Sequence, residues 1–291
     1  MDKLRCVAIG DFDGVHLGHQ EVIKCAANNK YGHIPTVYTF KSNCKSARLI
    51  TNNKSKTELI TELGIEEIIF GDFSKIKKLS PEEFIKDIMI QKYNVGSIIC
   101  GTDFRFGKNA EGDVKLLKEL SKKYKFKFHA VKQLDMLNTK LSSSHIRELL
   151  SDGEIEKANM LLGHRFSVNG KVVHGKHLAT ENNTPTINID FEKGMIVPAY
   201  GVYVTKVCVD GSVYNSISNV GVRPSIEKSK TPNIETHLFN FSGDLYDKEI
   251  TVEFIKMIRP EIKFKNKELL FEQINSDIQL AITYFNGEKN E

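Results

Sequence analysis

No apolar run in the 291-residue sequence approaches the roughly 20 residues needed to cross a bilayer, so a membrane protein is not expected. Met1 to Gly10 lacks the apolar stretch and small-residue cleavage site of a secretory leader. It reads as the first strand of a fold, and the expected compartment is the cytoplasm. The cysteines are few, odd in number and scattered (Cys6, Cys25, Cys44, Cys100 and Cys208), and no C-x-x-C occurs. That spacing argues against a disulfide framework and against a structural zinc site. Internal repeats and low-complexity linkers are also missing, and no concentrated basic stripe marks a nucleic-acid partner.

What is present describes a globular chain: 40% hydrophobic and 27% charged residues, long enough for two domains. Charge is uneven. Residues 1–150 hold 25 Lys+Arg against 18 Asp+Glu, and residues 151–291 hold 16 against 19. The basic half could favour an anionic ligand, although a lysine-rich solvated surface explains the same numbers.

The first half alternates two periodicities. Strand-like runs at Leu4–Ile9, Pro35–Phe40, Glu67–Phe70, Val95–Cys100 and Phe126–Val131 are separated by helical patterns at Gly18–Asn29, Lys54–Leu63 and Val114–Lys123. Ser80-Pro81-Glu82-Glu83 carries a capping serine, a proline at the first helical position and acids in the first turn, so it predicts a further helix start. This alternation predicts a Rossmann-like α/β domain with a parallel sheet. Two helices, Ser144–Leu150 and Glu154–Leu162, lead out of it. Short Val-, Ile-, Phe- and Tyr-rich runs follow, at Phe166–Val173, Thr186–Asp190, Gly201–Val209, Ser212–Asn219, Glu235–Phe241 and Glu249–Met257. They predict an all-β antiparallel barrel, closed by a C-terminal helix over Asn266–Phe285. The expected domains are 1–160 and 161–291.

The densest chemistry lies in Gly10-Asp11-Phe12-Asp13-Gly14-Val15-His16-Leu17-Gly18-His19, directly after the first strand and opening a helix. Glycines let backbone approach a ligand, and free N–H groups at a helix start face an anion. His16 and His19, three apart, share a face of the first turn, where two imidazole donors suit a phosphate gaining charge in a transition state. A tight turn with two surface histidines, or half of a metal site, are the competing readings. Further metal ligands are not evident nearby. Gly101-Thr102-Asp103-Phe104-Arg105-Phe106-Gly107 falls at the carboxyl end of a predicted strand, where parallel sheets bind ligands. Ser142-Ser143-Ser144-His145-Ile146-Arg147 leads into a helix, as a phosphate cradle or simply a helix cap.

In the second half, Thr186 and Asn188 face one side of an extended segment after Pro185, and their oxygens suit magnesium. Glu235 and His237 likewise share a strand face, where a carboxylate could accept a hydroxyl proton. Each piece alone also fits a turn or a solvated strand end.

Gly10–His19 resembles the G-x-F-D-G-x-H-x-G-H signature of bacterial FAD synthetases, in the H-x-G-H nucleotidyltransferase group. Gly101–Gly107 and Ser142–Arg147 are similar to that family's other two motifs, in order. The resemblance implies that His16 and His19 stabilise the α-phosphate of ATP. It implies that Gly10, Phe12, Asp13, Gly14 and Gly18 shape the ATP site, that Ser143, Ser144 and the catalytic Arg147 hold the outer phosphates, and that Asp103 and Phe106 lie near flavin. Gly170–Asn188, Pro198–Tyr203, Asn219–Ser225, Glu235–Phe239 and Val252–Phe264 resemble riboflavin kinase domains. That second resemblance implies Mg2+ held by Thr186 and Asn188, ATP contacts at Gly170 and Gly175, flavin contact at Arg223, and Glu235 as base. Together they imply a bifunctional riboflavin kinase/FAD synthetase. It would turn riboflavin into FMN and FMN into FAD with ATP, with small-molecule substrates only.

Two stretches depart from the family patterns. Lys41-Ser42-Asn43-Cys44 stands where a Pro-His-Pro-like loop is usual. Ala179-Thr180-Glu181-Asn182-Asn183 replaces a G-R-x-L-G run. The second departure leaves open an FMN adenylyltransferase whose barrel only binds flavin or nucleotide. A flavin-sensing regulator is the third class, though sensing does not need the phosphate sites around His16 and Arg147.

Overall fold

The computed structural model describes residues 3–41, 48–132, 135–136, 139–173, 186–222 and 231–288, with backbone alone at 135–136, 139–140 and 288. The chain divides into two compact units, Met1–Ser143 and Ser144–Glu291.

The first unit is built on a five-stranded parallel sheet. Its elements run β1 (Arg5–Ile9), α1 (Leu17–Ala27), β2 (Ile34–Phe40), α2 (Asn53–Glu62), β3 (Glu67–Gly71), the single turn α3 (Phe73–Ile76), and α4, which opens at Pro81–Glu83 and continues through Phe84–Lys92. Then come β4 (Val95–Gly101), α5 (Val114–Tyr124), β5 (Lys127–Val131) and the short pair β6 (Asp135–Met136) and β7 (Thr139–Lys140). The strand order is β3-β2-β1-β4-β5. The central strand β1 is apolar on both faces because both are covered. Cys6 and Ala8 pack with Val22, Ile23 and Ala26 of α1 and Ile60 of α2. Val7 and Ile9 pack with Phe84, Ile85, Met89, Leu117 and Leu120.

Polar residues fix where the helices begin. Asn52 caps α2 by accepting from Ser55 N at 2.9 Å, and Asp113 caps α5 by accepting from Leu116 N at 2.9 Å. Ser80 and Glu83 form the reciprocal capping box that the sequence predicts, at 2.7 and 3.2 Å. The chain leaves β1 for β2 on one side and later returns to β4 on the other. That reversal opens a crevice beyond the carboxyl ends of β1 and β4.

The second unit begins with α6 (Ser143–Ser151) and α7 (Ile155–Leu162), which stops at Gly163 in a left-handed conformation (φ 73°). Six strands follow: β8 (Ser167–Lys171), β9 (Ile187–Asp190), β10 (Gly201–Val209), β11 (Ser212–Val222), β12 (Pro232–Leu238) and β13 (Glu249–Pro260); helix α8 (Lys267–Glu288) completes the unit. They form an antiparallel sheet of order β8-β13-β10-β11-β12-β9. A bridge between Val173 and Asn188 joins its two ends and nearly closes the barrel. Strand β12 starts at Pro232, three residues before the predicted Glu235, because its ladder with β11 extends to the Val222–Pro232 pair.

One face of this sheet buries Phe166, Tyr203 and Phe254. It also carries a chain of buried hydroxyls: Thr205 to Ser216 at 2.8 Å, Thr205 to Ser218 at 2.8 Å, and Ser218 to Thr236 at 2.7 Å. On the opposite face α8 packs Ala281 and Phe285 against Val202, Val204, Ile217 and Ile255. It is pinned there by Arg259, whose guanidinium meets the buried Asp277 carboxylate at 2.8 to 3.1 Å.

Candidate functional sites

In the first unit all three motif segments reach one cavity of about 240 Å³. Gly10, Phe12, His16, Gly18 and His19 line it from the β1–α1 loop, Gly101, Asp103 and Phe104 from the end of β4, and Ser142 and Ser143 from the entry to α6. Ser143 Oγ donates to the Asp13 carbonyl at 2.9 Å, tying the third motif to the first. Gly14 (φ +82°) stands in a left-handed conformation with Ile50 close behind it, so a side chain there would be both strained and crowded. Phe12 (φ 53°) and Val15 (φ 42°) are left-handed without being glycine, and for β-branched Val15 that is costly. Strain of this kind concentrates at ligand-binding turns.

The two histidines behave as a unit. His16 is the N-cap of α1, and its Nδ1 accepts from His19 N at 3.2 Å, which leaves Nε2 as the donor of the neutral ring. Their rings stack at 3.5 Å, and Phe12 meets His19 edge-on at 5.3 Å. Burial, then the neighbouring His16, then the Lys56 ammonium hold His19 well below the ordinary imidazole range, so it is neutral at pH 7. His19 Nδ1 is buried and has no hydrogen-bond partner, an exception among buried polar groups. Among the described residues no cluster of three or more His, Cys, Asp or Glu is placed to hold a metal ion. Burial pushes the Cys6 thiol up to about 11 and Cys100 up to about 12, so neither offers a thiolate nucleophile at neutral pH.

The other residues singled out from the sequence take different places. The Asp13 carboxylate turns away from the cavity to accept from Ile50 N (3.0 Å) and Thr51 N (3.1 Å). Phe106 is packed in the core against Phe84 and stacked on Phe104, and Phe104 is the ring that lines the cavity. Ser144 and Arg147 lie on the first two turns of α6, within the second unit.

The second candidate site is a row across three strands. Asn188 on β9 is opposite Glu235 on β12, which is opposite Asn219 on β11. Directly opposed residues project to the same face, so Asn188, Glu235 and, two residues before Asn188, Thr186 share it. Asn188 is buried and its Oδ1 accepts from Asn233 Nδ2 at 3.1 Å, whereas Glu235 is exposed. Gly170 sits at the barrel seam, where an added Cβ would lie 3.1 Å from Ile189. Gly175, Arg223, Ser42–Cys44 and Ala179–Asn183 lie outside the described residues. Asn233 was not legible in the sequence, and Asn219 only as the first residue of the Asn219–Ser225 segment; the strand pairing brings both beside Asn188 and Glu235.

A parallel sheet with a glycine-histidine turn at its switch point, joined to a small antiparallel barrel, is an architecture suited to a two-domain transferase. Family comparison makes this specific. The FAD synthetase family model matches residues 2–145 and the riboflavin kinase model matches residues 162–285. The bifunctional riboflavin kinase/FMN adenylyltransferase of Buchnera aphidicola (subsp. Schizaphis graminum) is 38% identical over 96% of this chain and 94% of its own. The Bacillus subtilis protein of the same name is 36% identical over 97% and 92%, and that of Escherichia coli K12 is 30% identical over 96% and 93%. The solved structure of a macrolide-efflux protein from Streptococcus pneumoniae superposes with a TM-score of 0.85 at 26% identity, covering 97% of this chain and 95% of that one. Among the described residues, no helix is long and apolar enough to cross a membrane. The chain belongs to the bifunctional riboflavin kinase/FMN adenylyltransferase family and is a transferase of that kind.

Proposed function

We propose that the two reactions run at the two sites described, adenylylation within residues 1–160 and phosphorylation within residues 161–291, in the cytoplasm. In the first, ATP phosphates occupy the cavity beside His16 and His19, and a terminal phosphate oxygen of FMN attacks the α-phosphorus as pyrophosphate leaves. The protein needs no side-chain nucleophile; it aligns two anions and offsets their repulsion. His16 Nε2 and His19 Nδ1 donate to the α-phosphate oxygens, Ser143 at the end of the unit holds the outer phosphates, and Asp103 with Phe104 borders the flavin. The unpartnered, buried His19 Nδ1 in a cavity shared by three motifs carries this reading.

In the second reaction Glu235 accepts the proton of the ribityl hydroxyl, which attacks the γ-phosphorus of ATP as ADP leaves. The hydroxyl of Thr186 and the carboxamide oxygen of Asn188 are hard, neutral donors on one strand face, a set that fits magnesium already carried by ATP phosphates. When bound there, the ion neutralises phosphate charge. The cytoplasmic placement is supported by Cys6, Cys25, Cys100 and Cys208, all free thiols.

The test is product chromatography of protein incubated with ATP, magnesium and either riboflavin or FMN. His19→Ala is expected to lower FAD formation by about 10²–10³-fold and to leave FMN formation intact. FAD made only from added FMN would instead identify an adenylyltransferase with a binding barrel, and unchanged FAD output from His19→Ala would remove that histidine from the reaction.

A further inference from the structure

The cavity that joins the three motifs of the first unit has few charged residues on its wall. Asp11 and Asp103 are acidic, and Lys132 is the only lysine or arginine among the described residues that line it. The histidines do not add to the positive side. His16 accepts a hydrogen bond at Nδ1, and burial, His16 and Lys56 keep His19 neutral at pH 7. Adenylyl transfer nevertheless brings two phosphate-bearing anions together, and their repulsion must be offset before an oxygen of one reaches the phosphorus of the other. The sheet fixes where Lys132 stands. It follows β5 directly, and the parallel ladder of β5 with β4 ends on the Val131–Gly101 pair. Thr102 N extends that tie by donating to the Val131 carbonyl at 3.0 Å. Val131 packs on the cluster that contains Phe12, Val22 and Ile99. Lys132 therefore leaves an anchored backbone on the rim beside Asp103 and Phe104. Its side chain is exposed, an ammonium on a flexible four-carbon stem that can close on a ligand.

We propose that Lys132 is a substrate-binding residue for adenylyl transfer: its ammonium takes the terminal phosphate of FMN on the flavin side of the cavity and holds the attacking oxygen against the repulsion of ATP. The proposal rests on the reading that this cavity is the adenylylation site, with the ATP phosphates beside His16, His19 and Ser143. That side of the cavity is formed by the β1–α1 turn and the entry to α6, which the Ser143 hydroxyl ties together. The rim at the ends of β4 and β5 is left for the second anion, and Lys132 stands on it. No bond to the lysine forms or breaks. It binds and orients an oxygen whose electron pair makes the new bond to the α-phosphorus as pyrophosphate leaves. A charge-assisted contact of this kind is open to FMN and closed to riboflavin, which has no phosphate, so the same lysine selects the phosphorylated flavin.

Lys132→Met removes the charge and keeps an unbranched stem, and Lys132→Arg keeps the charge. Both are made in the full chain. Initial rates of FAD formation are measured with FMN and ATP varied in turn, at low and high salt, and FMN formation from riboflavin is the internal control. For Lys132→Met the KM for FMN should rise about tenfold or more, while the KM for ATP and the rate of FMN formation stay within about twofold of wild type. Lys132→Arg should recover most of the affinity for FMN. Added salt should raise the KM for FMN in the wild type and move it less in Lys132→Met, a response that a purely structural lysine would not give. If Lys132→Met does not fold, Lys132→Gln is measured in its place. An unchanged KM for FMN overturns the proposal, and so does a rise in the KM for ATP as large as that for FMN. His19→Ala separates the two levels: if it lowers FAD formation while Lys132→Met leaves the KM for FMN alone, only the role of Lys132 falls; if it too has no effect, the reading of the cavity falls.

Discussion

Replacing Asp13 tests whether the most acidic-looking part of the signature touches substrate or braces the turn. The carboxylate is 2% exposed and accepts from two buried amides, Ile50 N and Thr51 N, with a longer contact to Thr51 Oγ1 at 3.4 Å. Thr51 Oγ1 in turn accepts from Gly14 N at 3.0 Å, so the segment at 50–51 and the glycine turn hold each other. In Asp13→Ala both amides lose their acceptor, at about 1–3 kcal/mol each. Relief of burying a carboxylate offsets part of this, leaving a net loss of roughly 2–4 kcal/mol. Against total stabilities of about 5–15 kcal/mol that is large. Asp13→Asn keeps one acceptor oxygen and should lose roughly half as much. The assay is urea unfolding of the full chain, fitted as two transitions because the two units need not melt together. The first-unit transition should move to lower urea with an unchanged slope, FAD formation should fall, and FMN formation should not. A loss below about 1 kcal/mol, together with a raised KM for ATP, would mean that the carboxylate serves the nucleotide and the bracing argument is wrong.

Other outcomes are expected elsewhere. Glu235→Gln should lower FMN formation by about 10²–10⁴-fold while FAD formation from supplied FMN continues, and loss of both in a folded variant would count against separate sites. Because the folded-state affinity of His19 for a proton lies below its unfolded value of 6.5, the unfolded chain binds more protons as pH falls through 6.5. The first-unit urea midpoint should therefore decline below about pH 6.5 and hold above it, with the slope reduced in His19→Gln. Asp277→Leu takes the carboxylate from the half-buried Arg259 guanidinium and should cost the second unit about 3 kcal/mol. Pairing it with Arg259→Leu should restore part of that loss in the same denaturation measurement.

The elements were legible in the sequence because they obey a period. β1 is a continuous apolar run since both of its faces are covered, and Ser80 to Glu83 announces its helix through a cap that is local to four residues. What was not legible is long-range. Asp13 finds its acceptor role 37 residues away at Ile50, and Lys56 reaches back to Asp11 across 45 residues. The turn at Asp11–Asp13 is not periodic, and the helical period around Lys56 sets its own face without advertising a partner 45 residues away. Phe104 and Phe106 are two apart in an irregular loop, and choosing which ring faces the cavity needs the local bridge between Phe106 and Gly112. Similarly, Asn188 and Glu235 each looked ordinary alone; the pairing of β9 with β12, a tertiary choice, makes them neighbours.

The buried hydroxyls of Thr205, Ser216, Ser218 and Thr236 can satisfy one another only in a single alignment of three neighbouring strands. Sliding β12 by one residue would strand Thr236 without a mate and swing Glu235 inward, away from Asn188. A silent seam on one side of the sheet thereby keeps the reactive row on the other side in step.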